Sequence, residues 1–159
     1  MAGLWQQKEL GSSSKPFILI IEDDENLLMT LKRYLELKGF AIDTACSGKE
    51  AAAKIATTDY DVAIIDVTLP DIKGTELLPK FRRTIPAVRK IVMTGYVTVD
   101  NAIEAVNNGA SLFLAKPVKP DNLLAVIKRQ LEERELEMQL FLRTVEKFIS
   151  QRLETICPQ

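Results

Sequence analysis

Five short apolar runs, each followed by a loop and then a helical segment, constrain this chain more than any other feature. They are Phe17–Ile21, Phe40–Ala45, Val62–Ile65, Lys90–Met93 and Leu112–Ala115. The first and third are apolar throughout, which suits strands buried on both faces. Between the first two runs, Leu27, Leu28, Leu31, Tyr34 and Leu35 form a helical stripe over Asn26–Lys38, and Gly39 ends it as a C-terminal cap. Ser47-Gly48-Lys49-Glu50 reads as a capping box that opens a helix running to about Thr57. A third helix is predicted from Thr75 to Arg83, with Pro79 inside it to kink it or loosen its first turns. A fourth spans Thr98–Asn108 and is closed by Gly109, and Pro120 sits in the first turn of a last helix. Strands that alternate with helices through short loops predict an α/β fold: one five-stranded parallel sheet, doubly wound, with helices on both faces.

In such sheets, sites form beyond the carboxyl ends of the strands. Glu22 and Asp23 follow the first strand, Asp66 the third, Thr94 the fourth and Lys116 the fifth. Three carboxylates, a hydroxyl and an ammonium would converge on one edge. Like charges so close repel unless a lysine, a metal ion or water sits among them. Three facing acids suit a hard divalent cation, and Mg²⁺ prefers such oxygen ligands. Metal, lysine and hydroxyl are also the equipment of phosphoryl transfer, in which an aspartate can be the nucleophile. Asp24 and Glu25, by contrast, are placed to cap the next helix and to face its dipole.

Composition narrows the chemistry. The chain has 159 residues and a net charge of −1, so no basic face suggests direct nucleic-acid binding. It has no histidine, which removes imidazole bases and histidine metal ligands. Cys46 and Cys157 are far apart, as expected of free thiols in a reducing compartment. With no apolar run near the ~20 residues of a membrane span and no signal-peptide pattern, a cytoplasmic location without membrane insertion is expected.

The stretches ILIIED, IIDVTLPDIKG, IVMTGY and LFLAKP, in that order and spacing, resemble the receiver domain of two-component response regulators from about Lys15 to Gln130. The resemblance implies a flavodoxin-like (βα)5 sandwich. It implies Asp66 as phosphoacceptor, and Mg²⁺ held by Glu22, Asp23, Asp66 and the backbone carbonyl of Thr68. It further implies Thr94 as switch hydroxyl, Lys116 as the lysine that pairs with phosphoryl oxygens, Phe113 as switch aromatic and Lys116-Pro117 as a cis-proline junction. A sensor histidine kinase or phosphotransfer protein would be the donor, and a downstream protein the target. Thr68, Gly95 and Tyr96 occupy positions that set the acyl-phosphate lifetime in that family. Only self-phosphorylation and self-dephosphorylation chemistry would be expected, not a metabolic enzyme's.

Two other readings fit less well. A metal-dependent aspartyl-phosphate phosphohydrolase needs a second acid two positions after the nucleophile, where this chain has Thr68. A pseudo-receiver acting as scaffold or dimerisation module would not need so complete a site. The phosphate loops GxxxxGK[ST] and GxGxxG are absent.

The expected organisation is a flexible N-terminal segment over 1–15, a receiver domain over 16–130 and a helical extension over 131–159. About thirty residues after Gln130 are too few for an output domain, so a stand-alone regulator is expected. In that extension Met138, Phe141 or Leu142, Val145, Phe148 or Ile149, and Leu153 recur at spacings of three and four, close to a coiled-coil seam, and Pro158 ends it. The last helix is predicted to run past the domain, either as a homodimerisation or partner helix or folded back on the domain.

Overall fold

A computed structural model describes residues 14–156. The expectations for Cys157 and Pro158, and for nearly all of the 1–15 segment, lie outside the described residues. The elements follow in the order β1 (Phe17–Ile21), α1 (Glu25–Leu37), β2 (Ala41–Ala45), α2 (Gly48–Thr57), β3 (Val62–Asp66), a 3-10 helix (Gly74–Lys80), β4 (Arg89–Thr94), α3 (Val99–Asn107), β5 (Leu112–Ala115) and α4 (Pro120–Ile156). The five strands form one parallel sheet in the order β2-β1-β3-β4-β5. This is the doubly wound sheet expected, with a long C-terminal helix.

The apolar strands split their side chains between two layers by the period of two. Leu19, Ile21, Ala63, Ile65 and Val92 face one core with α2, the 3-10 helix and Ala105 of α3. Ile18, Ile20, Val62, Ile64, Ile91 and Met93 face the other, against Leu28, Leu31 and Leu35 of α1 and Leu123, Ile127 and Leu131 of α4. Gly39 and Gly109 follow their helices at φ +97 and +93, the left-handed conformation that a C-terminal cap requires.

Polar side chains finish the helix ends. Asp24 caps α1 by accepting from the Asn26 and Leu27 amides. The Ser47 hydroxyl accepts from the Glu50 amide, as the capping box predicts, while the Glu50 carboxylate accepts from the Cys46 amide. The Gly48 and Lys49 amides go instead to the carboxylate of Asp71, each at 2.8 Å.

One predicted element is corrected. The segment expected as a helix over Thr75–Arg83 is a 3-10 helix that stops at Lys80. Pro79 has no N–H to give an α-helical carbonyl and its ring crowds the turn before it, so the tighter, shorter form results. The approach to this helix is also tight. A Cβ on Gly74 would lie 1.9 Å from the backbone oxygen of Asp66, and the Gly74 amide donates to the Val67 carbonyl at 2.7 Å. Only glycine lets the returning chain press on the end of β3.

The last helix crosses position 130 without a break and runs for 37 residues, about 55 Å at 1.5 Å per residue. Its middle is pinned to the amino-terminal edge of the sheet. Arg134 pairs with Asp61 at 2.7 Å and donates to the Ala87 carbonyl, and Arg89 pairs with Glu137 at 2.7 Å. Beyond these residues Leu140, Leu142, Phe148, Ile149 and Leu153 are exposed. The first two turns of the extension therefore dock on the domain, and the rest projects from it.

Two outcomes test this packing. Gly74→Ala should cost about 1–3 kcal/mol of stability in urea unfolding, the range for an overpacked site. On β2, Asp43 accepts from Lys54 and from the Tyr60 hydroxyl. Burial alone would raise its pKa, but those bonds, the Thr44 amide and the Lys54 charge outweigh burial and lower it. A lowered carboxyl contributes stability that is present above its unfolded pKa and lost as pH falls through the folded value. Asp43→Asn should therefore cost about 1–2 kcal/mol near neutral pH, and the difference from wild type should shrink below roughly pH 4 in pH-dependent thermal unfolding.

Candidate functional site

The carboxyl edge of the sheet gathers most of the predicted residues. Glu22 directly follows β1 and is 1% exposed, although it is an acid. Its backbone amide continues the sheet by donating to the Ala45 carbonyl, and its Oε1 accepts from the Asp24 amide at 3.2 Å. Asp66 is the last residue of β3, one position further into the strand than expected, and is 4% exposed. Its Oδ1 accepts from the Thr68 amide at 3.1 Å. Asp23 is exposed at the rim. Carboxylate oxygens of Glu22, Asp23 and Asp66 all lie within 4.8 Å of one another.

Lys116, just past β5, reaches across the edge. Its Nζ lies 2.6 Å from Glu22 Oε2 and 3.0 Å from Asp66 Oδ2. Its backbone amide donates to the Thr94 carbonyl at 2.7 Å, and the Lys116-Pro117 peptide bond is cis. A second cis bond, Ile85-Pro86, had no sequence signal that set it apart from other X-Pro bonds.

The charges at this edge do not balance. Burial pushes the Glu22 carboxyl above the ordinary range, and the hydrogen bonds from Lys116 and the Asp24 amide reduce this without cancelling it. Burial disfavours the Lys116 ammonium, but its hydrogen bonds to Glu22 and Asp66 and their charges prevail and raise its pKa. Three carboxylates face one ammonium. Two further positive charges would balance the site, and an all-oxygen donor set with one open, exposed member fits a hard divalent cation. Glu22, Asp23 and Asp66 are the residues that could hold it.

Thr94 and Phe113 are placed differently. Thr94 ends β4 beside Asp66 and is 1% exposed, but its hydroxyl is occupied by the backbone of Tyr96. It donates to the Tyr96 carbonyl at 3.1 Å and accepts from the Tyr96 amide at 3.0 Å. Phe113 pairs with Val92 in the sheet and packs half-buried against the core. The Tyr96 side chain is 79% exposed. Beside the acids, a groove of about 590 Å³ opens between the loop after β3 and the loop after β4, lined by Thr68, Asp71, Lys73, Thr94, Tyr96 and Asn101 among others.

Sequence reasoning missed Gly74 and the residues around it. Gly74 sits eight positions past Asp66 in a segment read only as a loop, and its role is a contact with the backbone of β3 that no local pattern encodes. Asp71, also in that loop, ties it to the start of α2.

The comparisons agree with this geometry. Residues 18–128 match the response regulator receiver domain family. The alginate biosynthesis transcriptional regulatory protein AlgB of Pseudomonas aeruginosa is 32% identical over 132 residues, which cover 83% of this chain and 29% of that protein. The chain thus spans under a third of that relative's length. A CheY-like response regulator receiver domain protein from Methanospirillum hungatei JF-1 is 40% identical with a TM-score of 0.74, covering 78% of this chain and 99% of that one. A response regulator protein from Burkholderia pseudomallei, solved with a phosphorylated aspartic acid, a calcium ion and citrate, is 25% identical with a TM-score of 0.66, covering 87% of this chain and 86% of that one. Among the described residues no helix is long and apolar enough to cross a membrane. The parallel sheet, the acidic edge crossed by Lys116 and these matches together place the chain in the receiver-domain family of two-component response regulators, whose members are signalling switches rather than metabolic enzymes.

Proposed function

We propose that this chain accepts a phosphoryl group on Asp66 from a histidine kinase or phosphotransfer protein, with Mg²⁺, and that the modified domain changes its affinity for a protein partner. The observation that carries this reading is the buried Glu22–Lys116–Asp66 contact with Asp23 open at its rim. An oxygen of Asp66 attacks phosphorus as the bond to the donor's histidine nitrogen breaks. That nitrogen keeps the electron pair, and an acyl phosphate is left on Asp66. Glu22, Asp23, Asp66 and the Thr68 carbonyl would hold Mg²⁺, which when bound neutralises charge on the phosphoryl oxygens. Lys116 is already within reach of Asp66 and stays to pair with one of those oxygens. The Thr94 hydroxyl leaves Tyr96 to donate to another, and the loop and helix after it shift as a consequence. Water later attacks phosphorus, which returns the Asp66 carboxylate and releases inorganic phosphate. The phosphorylated aspartate and divalent ion in the Burkholderia pseudomallei relative support this reading.

The projecting part of α4 supports self-association. Met138, Leu142, Val145, Ile149, Leu153 and Ile156 continue the face that buries Leu123, Ile127 and Leu131 in the domain. Arg143, Lys147 and Glu154 take the opposite side, and Glu146 flanks the apolar face. The apolar face runs about 27 Å, and its spacing of three and four is that of a helix packed on a like helix. The occupant we propose is the same helix of a second copy.

Intact mass after incubation with acetyl phosphate tests the first reading. One Mg²⁺-dependent phosphoryl adduct is expected, and none in Asp66→Asn; an adduct that persists in that variant would reassign the acceptor. For the second, sedimentation over a concentration series should show a dimer that the double change Leu142→Glu with Ile149→Glu reduces to monomer, with the domain's thermal transition kept. A wild-type chain that stays monomeric at high concentration would rule out the like-helix pairing.

A further inference from the structure

Helix α3 is unusually placed. Its apolar residues Val99, Ile103 and Val106 are 75%, 53% and 65% exposed, and Ala105 alone of its residues is fully buried. Apolar burial therefore does little to fix its position, and its polar ties count for more. Two stand out. In its first turn, the Asn101 side-chain amide donates to the Tyr96 carbonyl at 3.3 Å, the same oxygen that accepts from Thr94. One turn on, Glu104 spends its two carboxylate oxygens on two residues of the segment after β3: Lys73 pairs with Oε2, and the Thr75 hydroxyl donates to Oε1 at 2.9 Å.

Those two residues flank Gly74, which lies against the backbone oxygen of Asp66 and donates to Val67. Lys73 also pairs with Thr68 across an isolated antiparallel bridge, which closes the loop that begins at Asp66. The loop after β4 faces this loop across the groove, so Glu104 bridges elements that leave space between them. The Lys73 pair is partly exposed, at 41% and 36% for the two side chains, and by itself would be weak. Thr75 is 0% exposed, and a buried hydroxyl on a carboxylate is a stronger bond.

We infer that Glu104 is a positioning residue. It clamps α3 to the phosphoacceptor loop in the arrangement where the Thr94 hydroxyl rests on Tyr96, and so opposes the rearrangement that a phosphoryl group on Asp66 requires. The inference rests on the phosphorylation reading above. When Thr94 turns toward a phosphoryl group it abandons Tyr96, and α3 loses its first-turn anchor. Glu104 is the tie that then holds the helix back. Weakening the clamp favours the phosphoryl-bound state, and by linkage phosphoryl binding loosens α3 by the same factor.

The test uses the full chain, Mg²⁺ and beryllofluoride as the phosphoryl analogue, titrated calorimetrically, with amide exchange of residues 99–107 measured in parallel. Glu104→Gln keeps side-chain length and removes the charge; Lys73→Met cuts the other side at a partly exposed position and guards against a folding artefact. Glu104→Gln should bind beryllofluoride roughly 5- to 10-fold more tightly than wild type, the low end of site-to-site coupling, and Lys73→Met more tightly by a smaller factor because the Thr75 bond remains. The double variant should gain little beyond Glu104→Gln alone, because losing the Glu104 charge already removes the Lys73 ion pair. Exchange over 99–107 should be faster in both without ligand. Unchanged or weaker beryllofluoride affinity in folded variants would overturn the inference. If wild type itself binds no beryllofluoride, the phosphorylation reading fails instead, and the exchange data still decide whether Glu104 holds α3: equal protection in variants and wild type would sink the clamp on its own.

Discussion

The structure depends on one electrostatic arrangement, the Lys116 ammonium set between two buried carboxylates. Removing Glu22 and Asp66 from water is costly unless a positive charge compensates them. Lys116 keeps the pair compatible with burial, yet one ammonium does not neutralise three acids. Burial holds the Glu22 carboxyl above its ordinary range, and the bond from Lys116 offsets only part of that. A site left short of positive charge, with its rim acid open to solvent, is suited to take up a cation.

Around this point the helices are held unequally. The face carrying α1 and α4 is packed by long aliphatic side chains from both helices and continues into the docked turns around Arg134 and Glu137. The opposite face ends in α3, which buries an alanine and turns its larger residues outward. A domain with one firm side and one lightly held helix can respond to a charge change at the sheet edge without unfolding. That lightly held helix is also the one that follows Thr94 and its loop.

Much of the fold could be read from residue order. Buried strands announce themselves by continuous apolar runs, and helix ends by Ser47, Gly39 and Gly109, because these signals act within a few residues of themselves. The third helix was misread because Pro79 was weighed as a kink, whereas a missing donor in so short a segment changes the helix type throughout. The acids, Lys116 and Thr94 were legible as strand-end residues, since a parallel sheet sends every carboxyl end to one edge. Lys73, Thr75 and Glu104 were not, because nothing links positions about thirty residues apart until α3 is laid beside the 3-10 helix.

The sequence alone determined the architecture and the inventory of the site: five strands, one polar edge, three acids, a lysine and a hydroxyl, all consequences of local pattern plus the handedness of parallel connections. The tertiary structure decided how those groups are held. It set Lys116 between Glu22 and Asp66, turned the Thr94 hydroxyl onto Tyr96, pressed Gly74 against the backbone of Asp66 and docked only part of the last helix. Distances, burial and charge balance depend on which distant segments meet. That is settled by packing the whole chain, and no stretch of sequence carries it by itself.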